Sequence, residues 1–172
     1  MITTYIDSGV LIAAARGDAN LSLLALPYLA DPEREYITSD YVRLEVLPKA
    51  VFHRRQEEAD FYNEFFRLNT RSIPTSPALL EYALAEGCET GIQGLDAIHI
   101  ACAVFAGAEE FITSEKQTKP IHRTQKVRVI SIYPHHQQSR SNIKKFLANA
   151  KHRFRVFLKD LQDILTRRLS HC

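Results

Sequence analysis

Short apolar runs rich in Ile, Val, Tyr and Thr recur along the chain, separated by longer stretches with helical spacing. The runs at residues 2–6 (ITTYI), 35–38 (EYIT), 70–73 (TRSI), 110–113 (EFIT) and 127–132 (VRVISI) predict five strands. Between them, SGVLIAAARG (8–17) predicts a helix stopped by Gly17, and ANLSLLALPYLAD (19–31) a helix kinked or broken at Pro27. SDYVRLEVLPKAV (39–51) and HRRQEEADFYNEFFRLN (53–69) predict two more, the second with an aromatic face at Tyr62, Phe65 and Phe66. SPALLEYALAEG (76–87) has Ser76 as cap, Pro77 at the first helical position and Gly87 as stop. In GLDAIHIACAVFAGA (94–108), Leu95, Ile98, Cys102 and Phe105 recur at helical spacing and predict a buried stripe. Strands that alternate with helices, over connections too long for hairpins, predict an α/β fold: a mainly parallel sheet covered on both faces.

Beyond the last strand the pattern changes. Residues 133–142 (YPHHQQSRSN) are polar and aperiodic and read as a linker. After them Ile143, Leu147, Ala150, Phe154, Phe157, Leu161 and Ile164 recur at alternating steps of three and four. That spacing predicts one long amphipathic helix, or a bent pair, with Lys and Arg on the other side. The expected organisation is an α/β domain over 1–132, a linker over 133–142 and a basic helical extension over 143–172.

Charge sharpens this division. The net charge is only +2. From Arg140 onward, however, nine Lys and Arg face only Asp160 and Asp163, so the tail carries +7 and the preceding body −5. A split of this kind suggests an anionic or acidic partner for the tail. The three cysteines, Cys88, Cys102 and Cys172, have no metal-ligand or disulfide-framework spacing, which suits a reducing cytoplasm. No apolar stretch approaches a bilayer-spanning length, and the chain runs from Met1 straight into a core strand without a signal-peptide pattern. No membrane association is expected.

In a parallel α/β sheet, ligands bind at the carboxyl ends of the strands. Four acids can be placed against that rule. Asp7 directly follows the first strand, and Glu115 lies two residues past the fourth. Glu45 lies in the helix after the second strand, and Asp96 in the first turn of the helix that precedes the fourth. Each has an ordinary explanation taken singly: Asp7 as a helix cap, Asp96 as a complement to a helix dipole, Glu45 and Glu115 as surface acids. Brought together they would repel one another unless a cation lay between them. Mg²⁺ or Mn²⁺ takes a few carboxylate oxygens, polarises a phosphodiester and lowers the pKa of a bound water.

The order YIDSGVLIAA with Asp7, TSDYVRLEVLPKA with Glu45, GLDAIHIACAVFAGAEEFIT with Asp96 and TSEKQ with Glu115 resembles the PIN domain family, including ribonuclease toxins of VapC type. The resemblance covers residues 1 to about 132 and is most specific at Asp-Ala-x-His around Asp96. It implies a three-layer α/β/α fold with a five-stranded parallel sheet, and a metal-dependent endoribonuclease. Asp7, Glu45 and Asp96 match the family's metal-binding acids. Ser8, Thr113 and Ser114 match its hydroxyls that orient acids or water. The resemblance further implies an RNA substrate, an antitoxin partner and a homodimer. The sequence departs from the family at its fourth acid, usually Asp and often followed by another; here it is Glu115, followed by KQTKP. The rival reading is therefore a non-catalytic RNA- or protein-binding module of the same fold. A phosphotransferase or nucleotide-binding domain is disfavoured, because there is no Gly-rich phosphate loop and no second Asp two residues after Asp7.

Other residues carry two readings each. His99, three residues after Asp96, reads as a member of the helix packing, or else as a group that places substrate or a bound water. Lys49, His53, Arg54 and Arg55, with Lys116 and Lys119 beside Glu115, read as holders of RNA phosphates near the mouth of the site, or as solvated surface. Phe61, Tyr62, Phe65 and Phe66 read as core or partner contacts rather than base-stacking groups.

Overall fold

The β-rich runs become strands because each pairs with a neighbour across a sheet that buries both of its faces. The structure, a computed structural model, describes residues 1–16, 19–67 and 71–133. Its strands are β1 (Ile2–Ile6), β2 (Arg34–Ser39), β3 (Arg71–Ile73), β4 (Glu110–Thr113) and β5 (Arg128–Ser131). They form one sheet in the order β3-β2-β1-β4-β5, and every pairing is parallel. Successive side chains of a strand point to opposite faces. Tyr5 and Ile6 on β1, and Phe111 and Ile112 on β4, are all fully buried, so both faces are covered.

The helices are α1 (Ser8–Arg16), α2 (Ala19–Leu29), α3 (Asp40–Phe52), α4 (Gln56–Arg67), α5 (Pro77–Thr90) and α6 (Gly94–Phe105). A 3₁₀ turn, Pro120–Arg123, precedes β5. α1 packs against α2, α3 and α4, and α5 against α6. Ser39 caps α3 and Ser76 caps α5, each side chain accepting from a backbone N–H three residues on. On α4, Tyr62 is fully buried, and Phe61, Phe65 and Phe66 pack on the core. The expected linker and helical extension, and the stop at Gly17, lie outside the described residues.

One local expectation is narrowed and two are corrected. Of the two alternatives at Pro27 the break is excluded: α2 continues through it, and the Ala30 amide resumes the ladder on the Leu26 carbonyl at 2.9 Å. α5 does not stop at Gly87. It runs to Thr90 and ends at Gly91, whose φ of +73° is the left-handed conformation that glycine adopts freely. Gly87 is small for a different reason: a Cβ there would lie 3.2 Å from the Ile92 carbonyl oxygen. Finally, the apolar stripe read from the α6 sequence is buried only at Cys102 and in part at Ile98. The helix buries Ala97, His99, Ile100, Ala101, Cys102 and Ala103, and leaves Leu95 and Phe105 exposed. Small residues let α6 lie close to the sheet, and this took precedence over side-chain size.

Candidate metal centre

β1 and β4 lie side by side at the centre of the sheet, so the residues that follow them emerge together at its carboxyl edge. The Asp7 amide donates to the Ile112 carbonyl at 3.0 Å, carrying the β1–β4 ladder one step past β1. The first turn of α1 closes on the Asp7 backbone carbonyl, which accepts from the Val10 amide at 3.1 Å. The carboxylate itself is turned to hydroxyls. Thr113 Oγ1 donates to Asp7 Oδ2 at 2.7 Å, and Ser8 Oγ to Oδ1 at 3.3 Å. Asp7 is buried, with 7% exposure. Buried carboxylates need such partners, and here both oxygens have them.

Gly9 is part of this arrangement. A Cβ at that position would fall 2.1 Å from Ser114 Oγ and 3.6 Å from Asp7 Oδ2. The start of α1 therefore approaches the loop after β4 at a distance that only glycine permits. Thr113 also accepts the Glu115 amide at 3.0 Å, and His122 Nε2 donates to the Glu115 carbonyl oxygen at 3.2 Å. Glu115 is thus fixed by its backbone on the same edge.

Glu45 reaches the site from α3. Val42 and Val46 are buried on that helix, and Glu45, half-buried, points toward α6. Its Oε2 lies 2.8 Å from His99 Nε2. His99 Nδ1 in turn lies 2.9 Å from the Tyr5 hydroxyl, which is 2.7 Å from Ser39 Oγ. A chain of hydrogen bonds therefore runs from the cap of α3 through β1 and α6 back to Glu45 on α3. The carboxylate only accepts, so His99 Nε2 carries the proton in that bond. Burial pushes the Tyr5 phenol well up, and it remains a neutral partner.

Electrostatics agree with the geometry. Asp96 is raised above the usual carboxylate range, first by burial and then by the negative charges of Asp7, Glu115 and Glu45. Burial alone would lower His99, but the hydrogen bond to Glu45 and the charges of Asp7, Glu45 and Asp96 raise it. Burial alone would raise Glu45, but His99, the Ser8 hydroxyl and the Lys49 charge bring it below its ordinary value.

Oxygen and nitrogen atoms of Asp7, Glu45 and His99 all lie within 4.8 Å of one another, close enough for one cation to contact them. The two nitrogens of His99 are already engaged, however, Nε2 by Glu45 and Nδ1 by Tyr5. In this arrangement His99 positions Glu45, and the carboxylate oxygens are the donors left for a hard ion. That donor set fits Mg²⁺ or Mn²⁺. Asp96 and Glu115 stand near enough for their charges to act on one another.

The basic residues lie further out. Lys49 is one turn along α3 from Glu45, exposed, and its charge reaches that acid. His53 caps the end of α3, roughly 12 Å along its axis from Glu45, and Arg54 and Arg55 follow in the turn to α4. All three are exposed, and Arg55 faces Glu58 at 3.5 Å. They flank α3 rather than the acids, whereas exposed Lys116 adjoins Glu115 directly.

The PIN domain family matches residues 4–124, and the chain belongs to that family. Its fold is similar to that of VapBC2 from Rickettsia felis bound to a promoter DNA fragment. The identity is 14% over 76% of this chain and 98% of that one, with a TM-score of 0.57. It is also similar to a toxin–antitoxin complex from Klebsiella pneumoniae, 22% identical over 77% of this chain and 99% of that one, TM-score 0.59. FitAcB from Neisseria gonorrhoeae is similar at 13% identity over 75% and 97% of the respective chains, TM-score 0.54. No curated protein matches the sequence. Among the described residues, no helix is long and apolar enough to cross a membrane.

The sequence named the four acids and the hydroxyls as candidates, and of the acids Asp7 and Glu45 come together with His99. It missed Tyr5, which holds His99, and Ser39, which holds Tyr5, and it missed Gly9. Tyr5 is one polar-tipped aromatic in an apolar strand, and nothing local distinguishes it from core.

Proposed function

We propose that this chain is an Mg²⁺- or Mn²⁺-dependent endoribonuclease in which Asp7, Glu45, Asp96 and Glu115 are the catalytic acids and hold the metal. The observation that carries the reading is the crowding of acids at the carboxyl edge of β1 and β4, where Asp7 and Glu45 come together and Asp96 is pushed up by burial and then by the negative charges of Asp7, Glu115 and Glu45. Membership in the PIN domain family, a family of metal-dependent nucleases, supports it. When bound, the ion would polarise a phosphodiester and supply a water of lowered pKa. The chain's own groups do the positioning. Thr113 and Ser8 fix the two oxygens of Asp7. His99 fixes Glu45, and Thr113 and His122 fix the backbone of Glu115. No protein nucleophile is required. Exposed Lys116 and Lys49, and more distantly His53, Arg54 and Arg55, supply positive charge for RNA phosphates.

The similarity to chains solved within toxin–antitoxin complexes supports a finer reading. In it, the protein is the toxin of such a pair, acts as a homodimer and is restrained by a small antitoxin. The test is cleavage of a panel of structured and single-stranded RNAs by the purified full chain with Mn²⁺, beside Asp7→Asn. Cleavage by the first and not the second is expected. Intact RNA in both would discard the enzyme and leave a binding module, which calorimetry should then show to take up no Mn²⁺.

A further inference from the structure

The apolar stripe that α6 does not bury points to an occupant from this same chain. A groove of about 350 Å³ lies between α5 and α6, lined among others by Leu80, Leu84, Cys88, Ile92 and Ile98. Leu84 on its rim is 70% exposed, and Leu95 and Phe105 on α6 are 42% and 47% exposed. Tyr82 and Phe105 close the α5–α6 seam with an edge contact, ring centroids 5.6 Å apart. An apolar surface of this kind is ordinarily an interface. The charge exposed on α5 itself is negative, with Arg123 standing at its end and Arg71 at the end of α6. Residues 72–115, which include both helices, contain seven Asp and Glu and no Lys or Arg. Two of these acids, Glu81 and Glu89, are exposed on α5.

We propose that the C-terminal segment, residues 143–164, docks as an amphipathic helix along this groove, apolar stripe inward and basic face over Glu81 and Glu89. Three features support the match. The tail from Arg140 carries nine Lys and Arg against two Asp, the opposite sign to the exposed Glu81 and Glu89 of α5. As a helix, residues 143–164 would span roughly 32 Å, so the part from Ile143 to Phe157, roughly 21 Å, covers the 14-residue α5 and the rest runs past its end. The third feature is the connection. Arg123 Nη1 donates to the Thr90 carbonyl at 3.1 Å, tying the segment before β5 to the end of α5. The described chain stops at Tyr133, and residues 134–142 can span up to roughly 30 Å. A tethered helix acts at an effective concentration near millimolar, so a modest intrinsic affinity keeps it seated. The inference is independent of the nuclease reading.

Cys88 provides the readout, because it lies in the groove and is exposed in the described residues, whereas Cys102 is buried. The experiment follows maleimide labelling of Cys88 in the full chain carrying Cys172→Ser, with circular dichroism confirming that each variant is folded. Labelling should be slow and become at least tenfold faster with Phe154→Asp/Phe157→Asp. The surface change Glu81→Lys/Glu89→Lys, which leaves the tail intact, should speed it severalfold. Equal rates in the parent and the Phe154→Asp/Phe157→Asp protein would overturn the proposal. So would protection that grows with protein concentration together with a dimer mass by light scattering, which assigns the groove to a second copy.

Discussion

The hydroxyl of Thr113 donates to Asp7 Oδ2 at 2.7 Å, joining the end of β4 to the acid that ends β1. The same hydroxyl oxygen accepts the Glu115 amide at 3.0 Å. One fully buried side chain thus fixes an acid on the neighbouring strand and the backbone of an acid on its own loop. Asp7 is aimed before any ligand arrives, which is what a site of fixed geometry requires.

Removing that hydroxyl while keeping the shape tests the relationship. Thr113→Val leaves Asp7 Oδ2 without its Thr113 donor and the Glu115 amide without its acceptor. Stability should fall by about 1–3 kcal/mol in denaturant unfolding. Mn²⁺ affinity by calorimetry should fall about 10–100-fold, the usual cost of losing a group that orients a ligand. Thr113→Ser should restore most of both. An unchanged affinity in the valine variant would remove Thr113 from the site.

Gly9 makes a steric prediction. A Cβ there would meet Ser114 Oγ at 2.1 Å and Ser114 Cβ at 3.2 Å. Gly9→Ala should therefore cost roughly 1–3 kcal/mol of stability. Adding Ser114→Ala should recover part of that loss, since the closer atom goes and the 3.2 Å contact remains. Strictly additive effects in the double mutant would show that the two residues do not press on each other.

The β1-to-α1 corner was legible in the sequence because an apolar run ending in Asp and followed by helical spacing is a local signal. The strand order was not, since it depends on which runs meet across the sheet. Acids at strand ends could be placed by the rule for parallel sheets, and Asp7 and Glu115 follow it directly. His99 could not be resolved in the same way. Its burial suits a packing role, and only the fold shows that the packing sets Tyr5 on one nitrogen and Glu45 on the other. The face of α6 was partly misread because periodicity weights large side chains. Here the sheet selects Ala97, Ala101 and Ala103, and Leu95 and Phe105 are left at the surface.

Arg54 occupies the left-handed region, φ +54°, where α3 turns into α4. Its neighbour closes the helix end, the Arg55 amide donating to the Ala50 carbonyl at 2.9 Å. A side chain in that conformation costs about 1–2 kcal/mol relative to glycine. Arg54→Gly should therefore raise stability by about 1 kcal/mol, visible as a higher melting temperature. If the guanidinium holds an RNA phosphate, the same variant should weaken RNA binding and lower the slope of log affinity against log salt by about 1. An unchanged slope would place Arg54 outside the RNA surface.

The His99–Glu45 pair predicts a pH window for the metal-free protein. His99 is raised above its ordinary 6.5, burial being outweighed by Glu45 and by the charges of Asp7 and Asp96. A raised histidine contributes stability that is full below pH 6.5 and fades as pH climbs through its folded value. Glu45 is lowered below its ordinary 4.5, burial being outweighed by His99, Ser8 and Lys49. A lowered carboxylate contributes stability that is full above pH 4.5 and fades as pH falls through its folded value. Both contributions are complete only between pH 4.5 and 6.5. Melting temperature in EDTA should therefore lose height on the alkaline side of this window in the parent protein. His99→Gln, which keeps a donor for Glu45 but no titrating ring, should flatten that alkaline decline while the acid limb from other carboxylates persists. Parallel curves for the two proteins above pH 6.5 would show that the His99–Glu45 pair is not charged in the native state.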